Sequence, residues 1–435
     1  MSPLRIKENI GWLFVIILSL IPIAIWYSMV PLNVRFSNLS VSLRSFGQVA
    51  GLVGMAMFSM TLVLNTRLKV FEDYFGGLNK VYIAHHIFGA IAFILLMFHP
   101  LFLAGRFLLV SVRSATSFLL PSANWPINFG MFALLSMMVL LILTLFVKLS
   151  YNRWLPTHKF LGGAFFLASL HIFLIPSDIS RSLPLRYYML SLAALGLAAY
   201  SYKTLFGSKF IKKFEYDVDS IKEVGKNVFE IKMTPLKRRM KFVPGQFVFV
   251  SFHGSGVSKE VHPFSISSSP DDDRLGLTIK VLGDYTSKLN NLKKGTVAKV
   301  EGPYGRFSHK IIGNKRQIWV AGGIGITPFL SMARSLKDEG YSIDLYYCVK
   351  NKDELIFSNE LSKISTKGES LRMVTFCSDD KGHITGEFIK ETSKGLSGKD
   401  ILICGPPGMM KALKKQFIEL GVKKRYIHSE EFELL

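Results

Sequence analysis

Hydrophobic positions are distributed in two different ways along the chain. Six apolar stretches, at about 10–30, 45–65, 81–104, 127–147, 155–175 and 186–206, each approach the roughly 20 residues that a helix needs to cross a bilayer. After Lys203 the pattern changes to short β-branched and aromatic runs, Gln246–Ser251, Leu277–Val281, Ile318–Val320, Asp344–Val349 and Ile401–Cys404, separated by Gly- and Pro-rich turns and helical stretches. The expected fold is therefore a membrane α-helical bundle of six transmembrane helices followed by a soluble module. That module is mainly strands to about residue 314, as in a β-barrel, and from about 315 it alternates β and α, which implies an α/β parallel sheet. The boundaries expected are 1–208, 209–314 and 315–435.

Composition agrees with this division. The 435 residues are 49% hydrophobic, and the formal charge is +22. A nucleic-acid-binding stripe would concentrate that excess, but residues 1–206 carry 15 basic and 4 acidic side chains while 207–435 carry 38 and 27. Between long apolar runs, basic residues read as membrane-edge charges, which excludes nucleic acid as the partner. The first stretch is not a signal peptide, because no small-residue cleavage site follows it and five more stretches do. Six spans put both termini on one side, with Arg5, Lys7, Arg67, Lys69, Lys80, Lys148, Arg153 and Lys203. Arg35, Arg44, Arg106, Arg113, Arg181 and Arg186 fall on the other side. The three cysteines, Cys348, Cys377 and Cys404, all lie late in the chain and point to a reducing compartment there.

Ionisable groups inside apolar spans are expensive and therefore candidates for function. The third stretch holds His85, His86 and His99, and the fifth holds His158 and His171. His85 and His99 are 14 residues apart, about 21 Å along a helix and about 40° short of four full turns, so both can leave one face at different depths. His158 and His171, 13 apart, are about 140° out of line in an ideal helix. Pro156 and the Gly162-Gly163 pair are sources of irregularity that would realign them. Imidazole is a common axial ligand of haem iron, and Gly89, Gly162 and Gly163 would let a flat macrocycle approach the backbone. Packed histidines bonding to neighbouring helices, or a metal other than haem, are the competing readings. His86 lies 100° round the helix from His85 and is taken as its neighbour.

The stretch Leu78-Asn-Lys-Val-Tyr-Ile-Ala-His85 with His99, and Thr157-His158 with His171, resembles the ferric reductase-like transmembrane family that includes the NADPH oxidases, bacterial ones among them. The resemblance implies two b-type haems, one held by His85 and His158 on the cytosolic side and one by His99 and His171 on the outer side. Further along, His262-Pro263-Phe264-Ser265 alternates as a strand, with Phe264 and Ile266 on one face and Ser265 and Ser267 on the other, as any barrel strand would. With Gly283-Asp284-Tyr285-Thr286 and Glu301-Gly-Pro-Tyr-Gly305 it resembles the flavin domain of the ferredoxin-reductase superfamily as found in NADPH oxidases. This implies FAD, with residues 262–265 at its isoalloxazine and ribityl region and residues 283–286 near its pyrophosphate. His262 stands where the superfamily often has an arginine, which favours the oxidase branch.

Ile318–Phe329 is an apolar strand, a glycine turn and a helix start, an arrangement that suits a pyrophosphate or a purely structural turn. Paired with Ile401-Leu-Ile-Cys404-Gly405-Pro406, it resembles the nicotinamide-dinucleotide motifs of the same superfamily. The resemblance places Gly322, Gly323, Gly325 and Thr327 at the pyrophosphate and Cys404, with Gly405 and Pro406, near the nicotinamide. Lys350 and Lys352 follow a strand, where they are either solvated loop residues or partners of an adenosine 2′-phosphate; NADPH is favoured over NADH on that account. Near-terminal Phe432 matches the aromatic that covers the flavin ring, an exposed tail aromatic being the alternative.

The expected function is an NAD(P)H oxidase of the cell membrane. Cytosolic NAD(P)H reduces FAD, FAD passes single electrons to the two haems, and dioxygen outside becomes superoxide. A nicotinamide cofactor makes the side with the termini cytosolic. Phe165 and Phe166 are candidates to fill the space between haems, and Arg44, Arg106 and Arg113 to meet propionates or an anionic chelate. A ferric chelate is the alternative acceptor. A membrane receptor or transporter with a degenerate nucleotide-binding tail is the non-enzyme reading. No obligatory protein partner is expected beyond the lipid bilayer.

Overall fold

The computed structural model describes residues 3–254, 257–337, 340–367 and 370–430. Chain contacts divide into two compact units, Met1–Ile211 and Lys212–Leu435. The long helices of the first unit are α1 (Pro3–Met29), α2 (Leu39–Leu64), α3 (Leu78–Leu108), α4 (Trp125–Leu145), α5 (Tyr151–Lys159), α6 (Leu161–Leu174) and α7 (Leu183–Tyr200). Asparagine side chains start two of them: Asn38 accepts from the Val41 N–H and Asn124 from the Ile127 N–H. Most of α2 is buried inside the bundle, with α3 packed along it and α7 against it, while α4 pairs with α6. Polar groups within this apolar mass find backbone partners, as where the Ser59 hydroxyl donates to the Leu192 carbonyl.

Among the described residues, five helical segments are long and apolar enough to cross a membrane: Asn9–Met29, Leu39–Leu64, Leu78–Leu108, Trp125–Leu145 and Tyr151–Leu174. The sixth stretch expected, 186–206, forms α7 and a π-helical turn at Ser201–Leu205 but is not among them. Arg186, Tyr187 and Tyr188 in its first turns lower its apolar character. The fifth stretch is not one continuous helix. It breaks at Phe160, where the chain tightens through bonds from Phe160 N–H to the Thr157 carbonyl and from Gly163 N–H to the Phe160 carbonyl. Pro156 and the Gly162-Gly163 pair flank this break.

The second unit holds two sheets. Strands β1 (Phe214–Gly225), β2 (Val228–Pro235), β3 (Phe247–His253), β4 (His262–Ser265), β5 (Leu275–Lys280) and β6 (Val297–Tyr304) form an antiparallel sheet in the order β4-β3-β6-β1-β2-β5. Its two edges meet at a bridge between Ile266 and Leu277, and Val218, Ile231, Val250, Ile266, Leu277 and Val300 fill the space enclosed. Strands β7 (Arg316–Gly322), β8 (Ser342–Val349), β9 (Leu371–Cys377), β10 (Asp400–Cys404) and β11 (Ile427–Glu430) form a parallel sheet in the order β11-β10-β7-β8-β9. Both its faces are buried: Trp319, Leu345 and Leu402 pack on one side, and Val320, Tyr346 and Ile403 on the other. Double burial is why these strands read as unbroken apolar runs. The order reverses between β7 and β10, which opens a crevice at the carboxyl ends of those two strands.

Candidate functional site

In the membrane unit the four spaced histidines come together as two facing pairs. The rings of His85 and His158 have centroids 6.1 Å apart, and those of His99 and His171 are 6.3 Å apart, with interplanar angles of 65° and 70°. Both pairs form although His158 and His171 are 13 residues apart, with the break at Phe160 lying between them. A metal–imidazole bond of about 2 Å, plus about 1 Å from each ring nitrogen to its centroid, separates two imidazoles on opposite sides of one metal by about 6 Å. Both pairs have that separation.

Backbone carbonyls orient three of the four rings. Nδ1 of His85 lies 2.9 Å from the Thr61 carbonyl oxygen, Nδ1 of His99 2.7 Å from that of Gly47, and Nδ1 of His171 2.7 Å from that of Pro126. A carbonyl only accepts, so each Nδ1 carries the proton and each Nε2 keeps its lone pair for a ligand, the arrangement usual for metal-binding histidines. His158 Nδ1 is buried without a hydrogen-bond partner, and its ring lies over Trp154 at 5.3 Å. Among the described residues no three His, Cys, Asp or Glu side chains gather into a metal site, so a metal here needs its other ligands from elsewhere. A planar macrocycle supplies four. His86 is exposed on the bundle surface beside His85, with ring centroids 5.7 Å apart.

The glycines divide by role. A Cβ on Gly163 would meet nothing within 4 Å, and one on Gly89 only a Thr61 methyl at 3.8 Å, leaving room for a flat group. Gly162 does not contribute to such a space, because the Tyr200 ring occupies the position its Cβ would take. Two glycines that the sequence reading passed over seat the rings: a Cβ on Gly51 would stand 2.6 Å from Nδ1 of His99, and one on Gly130 2.9 Å from Nδ1 of His171. The small-residue spacing Gly47-x-x-x-Gly51 was the available signal. Phe165 is fully buried, edge-on to Phe58 at 5.0 Å, whereas Phe166 is half exposed on the bundle surface and does not fill the interior.

In the soluble unit a cavity of about 1070 Å³ opens at the crevice of the parallel sheet and runs to the antiparallel one. Its wall includes Pro263, Phe264, Ser265, Thr286, Gly322, Gly323, Gly325, Thr327, Cys404, Gly405 and Pro406. The flavin and nicotinamide motifs, up to 143 residues apart in sequence, thus face one space. Lys350 is on the wall and Lys352 is not; Lys280, Glu354 and His383 are there as well. His262, Gly283, Asp284 and Tyr285 are not on that wall. Instead His262, at the start of the strand that carries Pro263 and Phe264, stacks on Tyr285 at 3.9 Å and bonds to Glu260 at 3.0 Å. Phe432 lies outside the described residues.

Close backbone approach explains the glycines of the two turns. A Cβ on Gly325 would stand 2.4 Å from the Cys404 carbonyl oxygen, and one on Gly405 2.9 Å from Gly322 Cα. The turn after β7 and the turn after β10 therefore touch backbone to backbone. Gly323, at φ +53°, has open space around it. Burial pushes the Cys404 thiol well above its ordinary range, with the nearby Glu430 carboxylate adding to the effect, and pushes Cys348 up to about 12. Both thiols on the wall are protonated at neutral pH.

Known proteins match both units. Residues 50–169 match the ferric reductase like transmembrane component family, 213–308 an FAD-binding domain and 319–415 an oxidoreductase NAD-binding domain. Flavohemoprotein A of Dictyostelium discoideum is 27% identical over 238 residues, covering 50% of this chain and 60% of that protein. The probable dihydroorotate dehydrogenase B (NAD(+)) electron transfer subunit of Methanocaldococcus jannaschii is 31% identical over 196 residues, covering 44% and 69%. The crystal structure of a flavohemoglobin from Malassezia yamatoensis with bound FAD and heme overlaps with a TM-score of 0.53 at 15% identity, over 90% of this chain and 98% of that one, a likeness of fold.

Proposed function

We propose, from the premise that this chain belongs to the FAD- and NAD-binding oxidoreductases and carries a ferric reductase-like transmembrane component, that it is a superoxide-generating NAD(P)H oxidase of the cell membrane. The reading takes residues 1–208 as six spans with both termini cytosolic, 209–314 as a β-barrel for FAD and 315–435 as the nicotinamide domain. The observation that carries it is the pair of one-metal gaps between His85 and His158 and between His99 and His171.

Bound there, two b-type haems would supply one-electron centres across the bilayer, and FAD in the soluble cavity would exchange a hydride pair for single electrons. The chain's own residues do the rest. The four histidines would hold the haems through their Nε2 lone pairs, and the Thr61, Gly47 and Pro126 carbonyls hold three rings in the required tautomer. Phe165 and the surrounding apolar side chains exclude water. Pro263, Phe264 and Ser265 present one wall of the cavity to a flavin, and Gly323 and Thr327 present the other to a dinucleotide pyrophosphate. Cys404, neutral and buried, offers the nicotinamide a polarisable surface without a charge. Lys350, on the wall, suits a 2′-phosphate and favours NADPH, while the neighbouring Glu354 leaves NADH usable. With two histidines holding each haem, dioxygen would be reduced by electron transfer without binding the iron. One NADPH and two dioxygen yield NADP⁺, one proton and two superoxide.

The test follows cytochrome c reduction by the purified, FAD-supplemented chain with NADPH in air, with and without superoxide dismutase, while recording the haem spectrum. Haem reduction with a dismutase-sensitive signal is expected. A dismutase-insensitive signal makes a ferric chelate the acceptor, which the ferric reductase-like match favours as second reading. Absence of a bis-histidine haem spectrum refutes both.

A further inference from the structure

Away from the histidines, the membrane unit buries an ion pair that the proposed electron path does not use. Arg35, 5% exposed, ends the short helix Leu32–Arg35. Its Nη1 donates to Asp178 Oδ2 at 3.0 Å, its Nη2 donates to the Trp26 carbonyl at 2.8 Å, and its guanidinium carbon lies 3.6 Å over the Trp26 ring. Gln48 Oε1 accepts from Trp26 Nε1 at 3.3 Å and from Arg35 Nη1 at 3.4 Å, and the Ser45 hydroxyl donates to the Arg35 carbonyl at 2.9 Å. Arg35 Nε is buried with no partner, and only the mostly exposed Arg181, 3.9 Å from Asp178 Oδ1, adds another charge among the described ion pairs at this point. Stripping water from a guanidinium and a carboxylate costs more than an average packing contact returns, so such a pair contributes mainly by specifying an arrangement.

What it arranges follows from its neighbours. Ser45 and Gln48 flank Gly47, whose carbonyl holds His99 Nδ1, and Gly51, one turn on, packs against the same ring. Asp178 comes seven residues after His171, just past the end of α6, where the Ile175 N–H still donates to the His171 carbonyl. One side of the ion pair is therefore bonded through Ser45 and Gln48 to the helix that seats one imidazole, and the other lies in the segment that leaves the opposing imidazole. The 6.3 Å between those rings is a distance between α3 and α6 that no local helix geometry sets.

We infer that Arg35 and Asp178 are positioning residues for the His99/His171 centre, an inference that rests on the bis-histidine haem reading. Holding α2 to the segment after α6 keeps the two rings at one-iron separation and sets the angle between their planes. The His85/His158 pair lies about 21 Å along α3 from that end, so the effect falls on one centre.

The experiment uses the full-length purified protein and reads haem per chain and the low-temperature EPR of the oxidised state, whose low-spin signals depend on the angle between axial imidazole planes. His99→Ala identifies which signal belongs to which centre. Arg35→Met and Asp178→Asn are expected to leave the His85/His158 signal intact and to shift or remove the other, with that haem retained about tenfold less tightly. Arg35→Lys, which keeps the charge and folds more readily, is expected to shift the same signal by less. Two unchanged signals in Arg35→Lys and Asp178→Asn overturn the inference. Loss of both in parallel also overturns it, because that reports general destabilisation. A wild-type protein without bis-histidine signals sinks the functional reading itself.

Discussion

Arg334 and Glu360 meet in a two-point contact, Nε to Oε1 at 2.7 Å and Nη2 to Oε2 at 2.9 Å, and the same guanidinium reaches the other sheet. Its Nη1 donates to the Ser267 carbonyl at 2.8 Å and its Nη2 lies 3.3 Å from Glu230 Oε1 on β2. Arg334 ends the helix Ile326–Arg334 that begins just after the glycine turn, and Ser331 on that helix donates to the Ser268 carbonyl at 2.7 Å. The helix that opens one wall of the cavity is thus fastened to the sheet that forms the other.

Replacing Arg334 by Met removes charge-assisted bonds worth about 2 kcal/mol, discounted for the partly exposed Glu360. FAD should still bind, while flavin reduction by NADPH slows about tenfold or more because donor and acceptor lose their fixed geometry. Stopped-flow flavin reduction at saturating NADPH measures this, and an unchanged limiting rate would mean that the fastening does not set the alignment.

Gly51 and Gly130 have no space for a side chain. Gly51→Val or Gly130→Val pushes a methyl-bearing carbon into the ring of His99 or His171. On the two-haem proposal each variant should retain about one haem per chain instead of two, and the remaining spectrum should be that of the His85/His158 centre. Full haem content in both would remove the proposed role of these glycines.

Cys404 is fully buried and its thiol is held well above the ordinary range. Thiolate is the reactive form, so maleimide labelling at pH 7.5 should pass over this position in the folded protein. Cys404→Ala should slow NADPH-dependent flavin reduction severalfold and leave the dithionite-reduced haem spectrum as it was. Rapid labelling of Cys404 in the native state would contradict the buried, neutral thiol.

His309 is 1% exposed against Trp319 and Tyr341, and burial lowers it from 6.5 to about 4. The folded state therefore favours neutral imidazole. Its contribution is complete above about pH 6.5 and is lost as pH falls from there towards 4, amounting to about 3 kcal/mol across that window. Flavin release on heating should shift steeply to lower temperature between pH 6.5 and 4, and His309→Gln should flatten that shift. An identical pH profile in the variant would assign acid sensitivity to other groups.

The sequence by itself determined the order of parts. Apolar runs of span length, alternating strands and turn residues are local properties, which is why β3, β5, β7, β8 and β10 stand close to where periodicity put them. The 14-residue spacing of His85 and His99 is also local, since α3 is continuous. Among the described residues five segments meet the length and composition of a span, and α7 falls short because a single arginine and two tyrosines stand at its start. What the tertiary structure decided is everything set by register between distant segments. Any residue supplies a carbonyl, so nothing in Thr61, Gly47 or Pro126 announces a bond to an imidazole. Gly162 and Gly163 are adjacent and alike in sequence, yet Tyr200 fills the space over one and leaves the other open. Arg35 and Asp178 are 143 positions apart, and Arg334 and Glu230 are 104 apart. Such pairs form only when packing brings their elements together, because the free energy that selects them belongs to the assembled interior and not to either segment alone.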